Sequence, residues 1–77
     1  VAAKPEPSAD PEMAEAVKQA LESLPERQRE IFLLREDAGL SFREIAIALD
    51  IPLNTALSHM RRATLALREK LANLVRS

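Results

Sequence analysis

The stretch "LSFREIAIALDIPLNTALSHMRRATLALREKL", residues 40–71, decides how this chain is read. Just before it stands Gly39, the only glycine. A glycine past a helix end supplies a left-handed residue without strain and lets Leu40 fold back on the last turn. Ser41 and Glu44 have the spacing of a capping box, so a helix starts between them. It is short, with Phe42, Ile45, Ala46 and Leu49 available to a core. "DIP" at 50–52 breaks it. From Leu53 the chain runs without Gly or Pro to its end. The apolar residues there, Leu53, Ala56, Met60, Ala63, Leu67, Leu71 and Leu74, follow in steps of three and four. The pair reads as a short helix, a tight turn and a much longer helix.

Upstream, "IFLL" at 31–34 puts four apolar residues around most of a helix circumference, which predicts the most buried helix of the chain. Its entry, "SLPE", offers Ser23 and Glu26 as another capping-box pair, with Pro25 tolerated only in a first turn. A first helix starts at Asp10–Pro11, where proline's missing N–H costs nothing, and aligns Met13, Val17, Ala20, Leu21 and Leu24 on one face. Residues 1–10, "VAAKPEPSAD", read as a flexible, disordered linker tail. No segment alternates with period two. The expected fold is all-α, a four-helix domain over residues 11–77 containing a helix-turn-helix, with a disordered N-terminal tail.

Bulk properties narrow the function. Seventy-seven residues allow one small domain with a modest core. With no cysteine, disulfides and thiol catalysis are excluded. No apolar run approaches the ~20 residues that cross a bilayer, so no membrane insertion is expected. A chain that starts at Val1 reads as a fragment or a processed product. The net charge of −1 hides an asymmetry. Residues 1–50 hold six Lys/Arg against eleven Asp/Glu, a balance of −5; residues 51–77 hold five against one, a balance of +4. A basic last third suits a polyanion, and an acidic remainder suits a basic protein surface or plain solubility. Catalysis lacks its parts. His59 is the only histidine, no second His or Cys could share a metal with it, and one glycine cannot build a phosphate loop. No enzyme activity, cofactor or metal site is expected.

The helix-turn-helix suggests more. A short helix that braces a longer one is how a recognition helix is presented to the major groove. With Ala56, Met60, Ala63 and Leu67 on the core, the register puts Thr55, Ser58, His59 and Arg62 on the opposite side, with Asn54, Leu57, Arg61 and Leu65 beside them. Arg suits guanine, Asn suits adenine, and Ser or Thr suits bases or phosphates. Pattern alone leaves a generic amphipathic helix with a polar face equally open.

From about Ala20 to Leu71 the sequence resembles region 4, the C-terminal promoter-recognition domain, of the extracytoplasmic-function sigma factors of bacterial RNA polymerase. Three pieces carry the resemblance: "LP-x-x-x-R" at Leu24, Pro25 and Arg29; "G-x-S-x-x-E-I-A-x-x-L" from Gly39 to Leu49; and "I-P-x-x-T" with "S-x-M-x-R-A" in the last helix. It implies a cytoplasmic transcription factor that binds the −35 element of double-stranded promoter DNA, docks on the RNA polymerase core at the β-flap, and meets an anti-sigma factor as regulator. The family's DNA-contacting positions fall on Asn54, Thr55, Leu57, Ser58, His59, Arg61 and Arg62, with Arg43 within reach of a phosphate. Three positions depart from the family's pattern. Asn54 replaces a common glycine, Leu57 a basic or polar residue, and His59 a frequent arginine. Two fewer cations imply a weaker and less salt-dependent grip on DNA. Two rival readings remain beside this one: a sigma-like module that binds a regulator and reads little DNA, and the output domain of a transcriptional activator.

Overall fold

The computed structural model describes residues 11–76, with side chains through Asn73. The linker reading of residues 1–10 lies outside the described residues. Four helices follow one another: α1 (Pro11–Glu22), α2 (Glu26–Glu36), α3 (Phe42–Leu49) and α4 (Leu53–Arg76). No strand occurs among the described residues, and the all-α expectation holds.

α4 is the spine against which the other three helices pack. Its register divides the core in two. Ala63 and Leu67 join Ala20 and Leu24, with Leu21, Phe32, Ala66 and Leu71 around them. One and two turns earlier, Ala56 and Met60 join Ile31, Ile45 and Ala46, with Leu34, Leu40, Phe42, Leu49 and Ile51 closing the group. Ala56 and Ala63 are wholly buried; their small side chains let neighbouring helices approach the α4 backbone. The largest fully buried side chains are Ile31 and Ile45. Fully burying one such side chain contributes roughly 1.5–3 kcal/mol. The second group therefore fixes α3 against α4.

Each connection has a local cause. α1 ends where the Ser23 hydroxyl donates to the Ala20 carbonyl at 2.7 Å. That use of Ser23 corrects the expected Ser23–Glu26 capping box. Pro25, two residues beyond Ser23, occupies the N-cap of α2, which has no side-chain cap. The Arg29 guanidinium donates to the Glu22 carbonyl at 3.4 Å and ties α2 to the end of α1. At the other end of α2, Gly39 adopts φ +72°, and the Leu40 amide returns to the Leu34 carbonyl at 3.0 Å. Arg35 then clasps the turn: its guanidinium lies 4.7 Å over the Phe42 ring and donates to the Leu40 carbonyl at 3.1 Å.

α2 is not the most buried helix. Ile31 alone is fully buried, Phe32 and Leu34 are half-buried, and Leu33 is exposed. Four consecutive apolar residues point four ways, while α2 has neighbours on only part of its circumference. Met13 at the start of α1 and Leu53 at the start of α4 are likewise exposed.

α3 carries the capping box expected from sequence. The Glu44 amide donates to the Ser41 hydroxyl at 3.1 Å, and the Ser41 amide donates to the Glu44 carboxylate at 2.8 Å. It ends at Asp50, the only non-glycine residue with positive φ among the described residues (φ 54°, ψ 50°). The Ile51 amide then reaches back to the Ala46 carbonyl at 3.0 Å. That left-handed corner reverses the chain. The Pro52 carbonyl accepts from the Thr55 and Ala56 amides in the first turn of α4, at 3.0 and 3.1 Å.

Candidate nucleic-acid interface

The α3–α4 corner determines which face α4 presents. With Ala56, Met60, Ala63 and Leu67 turned inward, steps of four, three and four put Asn54, Ser58, Arg61 and Leu65 on the line opposite the core, and all four are exposed. Arg62 is exposed next to that line, and Ser58, Arg61, Arg62 and Leu65 line one shallow groove on the helix surface. Leu57 is 41% exposed, on the side away from Arg62. Arg43 is exposed at the start of α3.

Two residues assigned to the opposite side sit elsewhere. Thr55 and His59 are half-buried, because one and two turns before Ala63 they fall on the flank between the core line and the outward line. The ring of His59 turns Nδ1 inward, buried and without a hydrogen-bond partner. Sequence spacing placed these residues within a quarter turn, but their burial depends on how closely the neighbouring helices wrap α4.

Electrostatically the face is uncommitted. Among the described residues, neither Arg43, Arg61 nor Arg62 takes part in an ion pair, whereas Arg27 and Glu30 pair at 3.3 Å on α2. The first turn of α4 contains no acidic residue, so its amide ends present unneutralised positive potential. Free guanidiniums, a hydroxyl and an amide on the first three turns of a braced helix can bond phosphate oxygens and base edges. Among the described residues no cluster of three or more His, Cys, Asp or Glu side chains could hold a metal ion. No helix there is long and apolar enough to cross a membrane.

Two large apolar side chains on α3 and α4 stand well outside the core. Ile47 on α3 is 80% exposed and Leu65 on α4 52%. Each falls outside its helix's core register.

Comparison with known proteins agrees with this geometry. Residues 14–67 match the family described as Sigma-70, region 4. The ECF RNA polymerase sigma-E factors of Escherichia coli (strain K12) and Salmonella typhi are 42% identical over 65 residues, which is 84% of this chain and 34% of theirs. The RNA polymerase sigma-H factor of Pseudomonas aeruginosa is 37% identical over the same span. The chain thus covers about a third of the length of the curated relatives it matches. The matched region takes in all of α2 and α3 and the α4 residues through Leu67. The chain belongs to the Sigma-70 region 4 family, as region 4 of an extracytoplasmic-function sigma factor.

Proposed function

We propose that this domain recognises the −35 element of promoters and docks on RNA polymerase within an alternative sigma factor during transcription initiation. The observation that carries the reading is the exposed, unpaired set Asn54, Ser58, Arg61 and Arg62 on the outward face of α4. Arg62 and Ser58 are the leading base contacts; Asn54, Thr55, Leu57, His59 and Arg61 complete the footprint. Leu57 meets a thymine methyl, an apolar form of base readout. Arg43 reaches a backbone phosphate from the start of α3.

The acidic first half rests on the polymerase β-flap, and an anti-sigma factor is the natural competitor for these surfaces. Tethering by the polymerase supplies effective concentration, so the isolated domain binds DNA weakly.

A second reading has one observation in its favour: Ile47, at 80% exposure, is an apolar side chain with no partner in the domain. A module kept for a regulator would use it, together with Leu65 and Leu57.

A salt titration of duplex binding separates the two. If Arg61 and Arg62 neutralise phosphates or approach the groove, Arg61→Ala and Arg62→Ala each flatten the log–log salt dependence by up to about 0.9 and weaken binding. Unchanged affinity in both variants contradicts the DNA reading and moves attention to the protein partner.

A further inference from the structure

We propose that Met60 is a site of oxidative modification: peroxide-class oxidants convert its thioether to the sulfoxide, which unlocks the helix-turn-helix and leaves the packing of α1 on α4 in place. The consequence for DNA rests on the binding reading above; the modification and its effect on packing do not.

The chain holds two sulfur atoms, in Met13 and Met60, and no cysteine, so its sulfur chemistry is that of two thioethers. They stand in different surroundings. Met13 is 46% exposed near the start of α1 and belongs to neither group of the core. Met60 is half-buried and packs with Ile31, Ile45, Ala46 and Ala56, the group that holds α2 and α3 against α4. Partial exposure leaves it within reach of a molecule as small as hydrogen peroxide while the domain stays folded.

The step is the transfer of one oxygen atom. A sulfur lone pair attacks the peroxide, the O–O bond breaks and an S–O bond forms. Sulfur is oxidised by two electrons, and the reduced peroxide leaves as water. The product carries a polar, hydrogen-bond-accepting oxygen where an apolar thioether stood. Every side chain around Met60 in that group is a hydrocarbon, so none can donate to the new oxygen. The oxygen either stays unpaired or draws its side chain out to water, and both outcomes remove contacts that brace α3. With eight residues, α3 is too short to persist as a helix without tertiary packing. The effect stays local because Ala20, Leu24, Ala63 and Leu67 form a separate group that does not include Met60. The divided core thus couples the state of one sulfur to the part of the fold that presents Arg61 and Arg62.

The test uses the 77-residue chain, Met13→Leu and Met60→Leu, each before and after treatment with hydrogen peroxide; leucine for methionine is an exchange of similar volume that cores tolerate. Mass spectrometry of proteolytic fragments locates the added oxygen, and amide hydrogen exchange reads each helix. In wild type and in Met13→Leu, oxidation of Met60 should lower the melting temperature by at least about 4 °C. Amide protection should fall in α3 and hold in α1, and affinity for a random-sequence duplex should drop about tenfold. Met60→Leu should gain oxygen at Met13 alone and keep its stability and affinity. Methionine sulfoxide reductases for both epimers, with a dithiol, should restore the oxidised wild type; this arm decides the point even where Met60→Leu fails to fold. A folded chain whose Met60 takes up no oxygen overturns the proposal. So does a Met60 sulfoxide with unchanged melting and unchanged exchange in α3, a loss shared equally by Met60→Leu, or protection lost in α1 and α3 together. Failure of the reduced wild-type chain to bind duplex at low salt overturns the proposed function instead, and melting and exchange still decide the modification.

Discussion

Asp50 sits at the corner that aims α4, and it is the wrong residue for that corner on two counts. Its backbone is left-handed, at φ 54° and ψ 50°, where a side chain with a Cβ costs roughly 1–2 kcal/mol relative to the right-handed region, somewhat less for Asp. Its carboxylate also stands at the C-terminus of α3, whose partial negative charge disfavours it by about 0.3–1 kcal/mol. Asp50→Asn removes the charge and keeps the backbone preference, so it isolates the second effect. At about 4–8 °C per kcal/mol for a domain of this size, the melting temperature should rise by roughly 1–8 °C. Asp50→Gly also relieves the left-handed strain, against about 0.5–1 kcal/mol for glycine's extra freedom in the unfolded chain. It should therefore exceed Asp50→Asn by up to ~1 kcal/mol. Gly39 provides the converse. It has φ +72°, and an added Cβ would meet nothing within 4 Å. Gly39→Ala thus measures conformational strain alone and should destabilise by about 0.5–1.5 kcal/mol. Thermal and urea unfolding of the four proteins checks the set. A fall in stability for Asp50→Asn would refute the reasoning, because it would mean that the carboxylate holds a contact at the turn. Indifference to Gly39→Ala would refute the left-handed assignment of the α2–α3 corner.

Other consequences follow from particular contacts. Ser41→Ala removes the hydroxyl that receives the Glu44 amide and should cost about 1 kcal/mol, measured by urea denaturation. The Ser41 backbone amide, and then its hydroxyl, hold the Glu44 carboxyl below its ordinary range. A lowered folded-state pKa contributes stability that is fully present above the unfolded value of about 4.3 and is lost as pH falls through the lower folded value. Acid titration of stability should therefore show a shallower loss below pH ~4 in Glu44→Gln than in wild type. Ala63→Leu forces a larger side chain between α4 and α1, where Ala63 has no exposure; overpacking of this kind costs about 1–3 kcal/mol. Arg35→Ala deletes both the contact over the Phe42 ring and the bond to the Leu40 carbonyl. It should destabilise by about 1–2 kcal/mol, read as a lower urea midpoint.

What the sequence revealed follows the range of the forces involved. Gly39 and the Ser41–Glu44 pair were legible because a left-handed cap and a capping box are settled within four or five residues. The core register of α4 was legible because its apolar steps are regular over 20 residues. Ser23 and Glu26 have the same spacing as Ser41 and Glu44 and yet form no box. Pro25 took the N-cap, and the Ser23 hydroxyl was already engaged by Ala20. Spacing cannot tell which of two competing local bonds wins. Burial of "IFLL" was overestimated for another reason. Hydrophobicity is a property of the residue, but burial requires neighbours on that side, and Leu33 is left 39% exposed. In the candidate site, helical phase alone put Ser58 and Arg62 outward and Asn54 and Arg61 beside them, and all four are exposed. The half-burial of Thr55 and His59 did not follow from phase, since it depends on the reach of other helices around α4. The left-handed state of Asp50 was equally hidden, as aspartate is common in right-handed turns as well.

The central claim is that the outward face of α4 reads a defined DNA sequence. Selection from a pool of random duplexes, with the wild-type chain and Arg62→Ala carried side by side and the retained DNA sequenced, tests it most directly. The account predicts enrichment of a motif of a few base pairs by the wild-type chain, with loss of preference at one or more of its positions in Arg62→Ala. No enrichment by the wild-type chain, with retention falling uniformly as salt rises, would contradict it.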